Sequence, residues 1–239
     1  MSEYSVFRHF LQKDNFMQVD IKNIAKAFGK KHVLCGVSLT AEGGKCVGII
    51  GANGCGKSTL FSILAGIQRG EGDFLLDGKN LMKNVRFRRE RVGYIPQGTP
   101  LIDELTAYDN LLLWYSRADL NRMLKSDSVI TRLGIDKFIK TVVRRMSGGM
   151  KKRLSIACAV AHNPDIIIMD EPTAALDIVC KQNVADYIDS CRKEGKLVLL
   201  ATHEEQDLRL CDELYLMRDG LLEPFVYSGN PADIAEQIK

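Results

Sequence analysis

The chain has 239 residues, 46% of them hydrophobic, and a net charge of only +3. That is enough apolar material to bury one full core carrying a smaller subdomain, and two independent domains are not expected. So weak a net charge gives the chain as a whole no electrostatic case for nucleic acid, which usually shows as a strongly basic stripe, so no nucleic-acid partner is expected.

No run approaches the eighteen apolar residues needed to span a bilayer, and the N-terminus lacks an uninterrupted apolar signal core. The chain is therefore expected to be soluble by itself, with any membrane role reached through a partner. Seven cysteines include no C-x-x-C pair, and several, such as Cys35, Cys46 and Cys158, lie in apolar stretches where a thiol packs as a small hydrophobe, which points to a reducing cytosol. Most residues of the basic clusters at Lys83 to Arg91 and at Arg144, Arg145, Lys151, Lys152 and Arg153 are expected on a solvated face and not in a polyanion site.

Residues 1–16 mix charge with scattered aromatics and read as a loose or short-helical N-terminal extension; residues 17–239 read as one domain. Val19 and Ile21 alternate, and Val33, Cys35, Val37 and Leu39 alternate up to the turn at Gly43-Gly44, which predicts half-buried antiparallel strands with Phe28 in the loop between them. Cys46-Val47-Gly48-Ile49-Ile50 predicts a buried strand, and Leu60, Phe61, Ile63, Leu64 and Ile67 carry a helical face shortly after it. Between the two lies Gly51-Ala52-Asn53-Gly54-Cys55-Gly56-Lys57-Ser58-Thr59, which fits G-x-x-x-x-G-K-[ST]. Strand, glycine loop and helix make a phosphate cradle. Backbone N–H groups crowd round a polyphosphate, the helix N-terminus adds positive potential, Lys57 reaches the β and γ phosphates and the Ser58 hydroxyl can ligate Mg²⁺. The ligand class is a nucleoside triphosphate. Cys55 inside this loop is either a tolerated small side chain or a thiol whose oxidation blocks the site.

Asp73 to Asp77 predicts another strand, followed by the Asp77-Gly78 turn, and Arg91 to Ile95 a short strand ending at Pro96-Gln97. The pattern then turns helical, with Leu105, Tyr108, Leu111, Leu112 and Tyr115 followed by Leu120, Met123 and Leu124. This predicts a helical subdomain at about 98–150 inserted into the sheet domain, with Trp114 in its core. Ser147-Gly148-Gly149 opens a helix with Met150, Leu154, Ala157, Cys158 and Ala161 on one face, stopped at Asn163-Pro164. Ile166 to Glu171 predicts a buried strand that delivers two acids at its end. A helix from about Ile178 to Glu194 stops at Gly195, and the strand Leu197 to Thr202 ends on His203. A short helix to Cys211, strands at Glu213 to Met217 and Leu221 to Val226, and a terminal helix capped by Asn230-Pro231 complete the chain.

In open α/β sheets the ligand lies outside the carboxyl ends of the strands. Gly51 to Ser58, Gln97, Asp170-Glu171 and His203 each follow a predicted strand, so they are expected at one sheet edge as a triphosphatase site. Asp170 suits the Mg²⁺ shell, directly or through water and Ser58, and Glu171 is the candidate base for in-line attack of water on the γ-phosphate. His203 is placed to contact the same phosphate.

These residues resemble the nucleotide-binding subunits of ATP-binding cassette (ABC) transporters, from about Val19 to the C-terminus. Gly51 to Thr59 is similar to Walker A, Ile166 to Glu171 to Walker B with its adjacent glutamate, and Pro96-Gln97 to the Q-loop, a further metal contact. Met146-Ser147-Gly148-Gly149-Met150 resembles the LSGGQ signature; it departs at both ends yet keeps its Ser-Gly-Gly core at a helix N-terminus. Ala175-Leu176-Asp177 resembles the D-loop, His203 the H-loop, and Phe28 the aromatic that stacks on adenine.

The resemblance implies a P-loop NTPase (RecA-like) fold, with a mostly parallel sheet, an N-terminal antiparallel β-subdomain and the helical insert. It implies ATP and Mg²⁺ as ligands and a dimer, homomeric or with another ABC ATPase subunit, in which Ser147, Gly148 and Gly149 close on the nucleotide held by the other chain's Lys57. It further implies transmembrane permease partners, a cytoplasmic location on the inner face of the membrane, and an export direction from the Met150-Lys151-Lys152-Arg153-Leu154 run. The alternative is a soluble ABC ATPase of macromolecular or cofactor assembly. The repair type needs a long coiled coil and the translation type usually two cassettes; the chain has neither. A non-hydrolysing module predicts a damaged Glu171 or His203, and both are intact.

Overall fold

The computed structural model describes residues 17–230; the extension at 1–16 and the helix expected after Pro231 lie outside them. Two sheets carry the architecture. β1 (Gln18–Phe28), β2 (Lys31–Glu42), β4 (Glu71–Leu76) and β5 (Lys79–Asn80) form an antiparallel sheet in the order β2-β1-β4-β5. The second sheet has the order β10-β9-β3-β8-β7-β6, built from β3 (Cys46–Ile50), β6 (Val92–Ile95), β7 (Ile166–Asp170), β8 (Leu197–Ala201), β9 (Glu213–Arg218) and β10 (Leu221–Phe225). Its strands pair in parallel except for the β9–β10 hairpin.

The parallel strands are apolar on both faces because both faces are covered. In β7 and β8, Ile166, Ile168, Leu197 and Leu199 pack with Leu60, Phe61 and Leu64 of α1 (Lys57–Ala65) and with Val19, Ile21 and Phe74 of the antiparallel sheet. Ile167, Met169, Val198 and Leu200 point the other way, onto Leu154, Ile156 and Ala157 of α6 (Gly148–Ala159) and Val184 and Ile188 of α7 (Ile178–Lys193). This alternation is the two-residue period of a strand read against two separate cores.

The helical insert comprises α3 (Ala107–Leu112), α4 (Arg117–Met123) and α5 (Val129–Arg132), followed by two 3₁₀ turns. Thr106 caps α3 in a box with Asp109, and Ser116 caps α4 through the Asp119 N–H. Trp114 is 63% exposed, not in the core as expected. α3 stops at Leu112, so the chain turns there and sends Tyr115 inward instead, its hydroxyl donating to the Ala157 carbonyl at 2.9 Å.

Three further expectations are corrected. Phe28 is the last residue of β1, paired with Lys31, because the hairpin turn is only Gly29-Lys30. The Lys83–Arg91 cluster contains a helix, α2 (Val85–Arg91), capped by Asn84 and with no buried residue, so its solvated face stands while its secondary structure was missed. In β2 the inward face changes phase: Leu34 is buried and Cys35 exposed, whereas Val37, Leu39 and Ala41 are buried beyond. Ile24 pairs with Val37 and Ala25 with Cys35, which leaves Gly36, at φ 108°, as an extra residue that resets the alternation. α8 (Glu205–Leu208) closes the series, and among the described residues no helix is long and apolar enough to cross a membrane.

The phase change is testable by urea unfolding. Leu34→Ala should cost about 2–5 kcal/mol as a core truncation, and Cys35→Ser less than about 0.5 kcal/mol as a surface change. Equal costs would contradict the bulge.

Candidate functional site

Strands β3, β6, β7 and β8 run in register, so their carboxyl ends deliver Gly51, Gln97, Asp170 and His203 to one edge. After β3 the loop residues Gly51, Gly54 and Gly56 take φ of 152°, 79° and 120°, in the left-handed region that side chains disfavour. Over this loop the Lys57 ammonium is folded back and buried, donating to the Gly51 carbonyl at 2.6 Å and the Ala52 carbonyl at 3.1 Å. Its hydrogen-bond acceptors are neutral carbonyls and not a carboxylate, which leaves the ammonium able to hold an anion beside it.

A cleft of about 330 Å³ opens here, lined by Asn53, Gly54, Gly56, Lys57, Ser58, Thr59, Gln97 and Glu171. Gln97 donates from Nε2 to Glu171 Oε2 at 2.8 Å, and His203 Nε2 lies 3.9 Å from Glu171 Oε1. Glu171 itself has φ 47°, a strained value for a residue with a side chain, while its N–H still donates to the Ala201 carbonyl at 2.8 Å. Strand pairing and left-handed backbone together turn the carboxylate out of the sheet. Beside it, burial pushes the Asp170 carboxyl above the usual range, and a hydrogen bond with Ser58 and the Lys57 and Lys152 ammoniums pull it back.

A second cleft of about 570 Å³ abuts the first through Gly54 and is lined by Lys31, His32, Val33, Ala52, Cys55 and Met217 to Gly220. Phe28 lines neither cleft; it is half-exposed with the Lys26 ammonium 5.1 Å from its ring centroid. Ser147, Gly148 and Gly149 also line neither cleft. Ser147 and Gly148 are exposed, and Ser147 caps α6 by accepting from the Met150 N–H at 3.2 Å. A side chain at 149 would put its Cβ 2.3 Å from Cys180 Sγ, so only glycine lets α6 and α7 approach this closely. Asp177 caps α7 through the Cys180 N–H at 2.8 Å, and that hydrogen bond holds its carboxyl below the usual range.

Some residues that organise this edge were not singled out in the sequence. Buried Asp207 accepts at Oδ2 from Thr173 at 2.6 Å and Thr202 at 2.7 Å, tying the loop after Glu171 to the one before His203. Lys152, expected on a solvated face, is 4% exposed; burial pulls its ammonium down to about 8 against the opposing fields of Asp170 and Glu171. A signal for its burial was present, since Gly149, Lys152 and Ile156 share one helical stripe.

The fit to ATP and Mg²⁺ follows from this donor set. The smaller cleft has glycine backbone and a buried ammonium for phosphates, and the larger has room for a nucleoside. Ser58, Gln97 and Asp170 offer hard oxygens, which suit Mg²⁺. Among the described residues no cluster of three His, Cys, Asp or Glu could hold an ion alone, so phosphate oxygens and water would complete the shell.

A family model described as ABC transporter matches residues 34–174. The chain belongs to the ABC transporter family. It is an ATP-binding cassette of that family. Curated relatives include the linearmycin resistance ATP-binding protein LnrL of Bacillus subtilis (strain 168), 30% identical over 91% of this chain and 70% of that protein. The lipoprotein-releasing system ATP-binding protein LolD of Porphyromonas gingivalis is 33% identical over 86% of this chain and 99% of its own length. Among solved structures, a dimeric post-hydrolysis ATP-binding cassette bound to ADP and Pi superposes with a TM-score of 0.74 at 28% identity, covering 86% of this chain and 96% of that one.

The cassette's His203 gives a direct electrostatic test. Burial and the Lys57 ammonium hold its imidazole below the ordinary value, outweighing the long contact with Glu171 that favours the cation. With a depressed folded value, its contribution to stability is complete above the ordinary imidazole pKa and is lost as pH falls through the lower one. NMR titration should place its midpoint below about 6.5, and Glu171→Gln should lower it further. A midpoint above the ordinary value would contradict this balance.

Proposed function

We propose that two copies of this cassette, or one copy and a related subunit, clamp ATP between them and hydrolyse it to drive transport through separate membrane-spanning permease subunits. The observation that carries this reading is the single cleft in which Lys57, Ser58, Gln97 and Glu171 meet, with Gln97 hydrogen-bonded to Glu171. Lys57 and the glycine loop hold the β and γ phosphates, Ser58, Gln97 and Asp170 are the Mg²⁺ ligands, and Glu171 takes the proton from the attacking water. Bound Mg²⁺ would neutralise charge on the β and γ oxygens. His203 contacts the γ-phosphate as a neutral ring, and half-exposed Phe28 is the aromatic assigned to stack on adenine.

Dimerisation is supported by two features of the chain and by a structural relative. Ser147 and Gly148 face solvent, away from their own Lys57 cleft. Ile178 and Val179, directly after Asp177, are 79% and 70% exposed, an apolar edge suited to a second subunit. The structural relative bound to ADP and Pi is itself dimeric. Residues 17–239 act as one cassette, and the insert at about 98–150 relays closure to the permease through Gln97, with exposed Leu113 and Trp114 as its apolar contacts. Export is the direction favoured by relatives whose names describe Nod factor export and lipoprotein release. The cassette would thus work at the cytoplasmic face of the membrane.

Glu171→Gln should retain ATP binding, lower turnover by about 10²- to 10⁴-fold as a lost general base does, and accumulate an ATP-bound dimer in size-exclusion chromatography. Wild-type turnover by this variant would remove Glu171 from the role of base. Lys57→Ala should instead weaken nucleotide binding itself, measured by calorimetry; unchanged affinity would displace Lys57 from the phosphates.

A further inference from the structure

Lys152 lies five residues beyond Ser147, on the second turn of α6, with its side chain buried among core residues. Burying an ammonium is costly unless strong acceptors replace its hydration. Here the acceptors are the Pro96 carbonyl at 2.8 Å and the Gln97 carbonyl at 3.3 Å. Both belong to the turn where β6 ends and the helical insert begins, beyond the β6–β7 ladder. From the same turn the Gln97 side chain reaches Glu171. A continuous polar chain thus runs from the helix that begins with Ser147-Gly148-Gly149, through Lys152, to Gln97 and Glu171.

We propose that Lys152 is a positioning residue for hydrolysis, tying α6 to the Gln97 turn so that the Gln97 amide is held against Glu171. An apolar side chain would fill the same space but leave both carbonyls without this donor and the turn free to shift. Lysine meets the requirement because one compact ammonium can donate to two adjacent carbonyls at once. Movement at the N-terminus of α6 is then transmitted to Gln97 within the same chain, without passing through the nucleotide. This inference rests on the reading of Gln97 and Glu171 given above.

The test compares the full-length wild type with K152M, K152R, Q97A and K152M/Q97A. K152M should lower kcat for ATP by about tenfold or more, the scale of a lost charge-assisted hydrogen bond. Its KM should stay within about threefold, because Lys152 touches no phosphate-cradle residue. NMR relaxation of the 97–99 amides should show greater mobility in K152M while β7 stays rigid, K152R should recover much of both the rate and the rigidity, and K152M/Q97A should be no slower than Q97A. Unchanged relaxation at 97–99, or additive losses in the double variant, would overturn the proposal. Should K152M fail to fold, K152Q serves with the same expected pattern in weaker form. An inactive wild type would count against the hydrolytic reading alone, since the relaxation comparison decides Lys152 independently.

Discussion

The in-register parallel ladder of β3, β8, β7 and β6 is the constraint on which the rest depends. Ile166 pairs with Val92 on one side and Leu197 on the other, and Val198 pairs with Cys46, so the strands end at nearly one level. β3, β6 and β7 then release polar residues into one cleft, and β8 brings His203 to 3.9 Å from Glu171 at its side. A one-residue slip in any of these strands would exchange its two core faces and send its terminal side chain to the wrong side. Glu171 shows how closely the end of a strand is specified. Its N–H stays in the ladder with Ala201 while its φ of 47° carries the carboxylate away from the sheet.

Around that edge the fold buries charge, and it does so in compensated sets. Lys57 rests on carbonyls of its own loop, Lys152 on carbonyls of the Gln97 turn, Asp170 on Ser58, and Asp207 on two threonine hydroxyls. Buried polar groups held this way favour one arrangement of the loops over others, because losing any partner leaves an unsatisfied group in a poor dielectric. The same low dielectric raises Asp170 and lowers His203 and Lys152, so the electrostatics of the edge depend on its burial as much as on its charges.

What is pinned and what is left loose also divides along functional lines. The loops after β7 and β8 are tied together by Asp207. By contrast Ser147, Gly148, Ile178 and Val179 face outward, at the starts of α6 and α7, where Gly149 lets the two helices nearly touch. The edge tied by Asp207 thus stands apart from an exposed, mixed polar and apolar seam.

Much of this was legible in the amino-acid sequence, and for local reasons. The glycine loop with Lys57 and Ser58, the acids after an apolar strand, His203 at a strand end and Ser-Gly-Gly before a helix are contiguous, and chemistry of that kind depends on residue type and spacing. The residues misread were those whose surroundings come from distant segments. Cys35 faces outward because Gly36 adds a residue to a pairing with β1, Trp114 faces outward because α3 ends early, and Lys152 is buried because the Gln97 turn, far away in the chain, lies over it. The chain's own order therefore determined the phosphate cradle, the two acids and the family. Only tertiary packing decided which cations are buried, where a strand changes face and how α6 is linked to Gln97, since burial depends on neighbours that local periodicity does not encode.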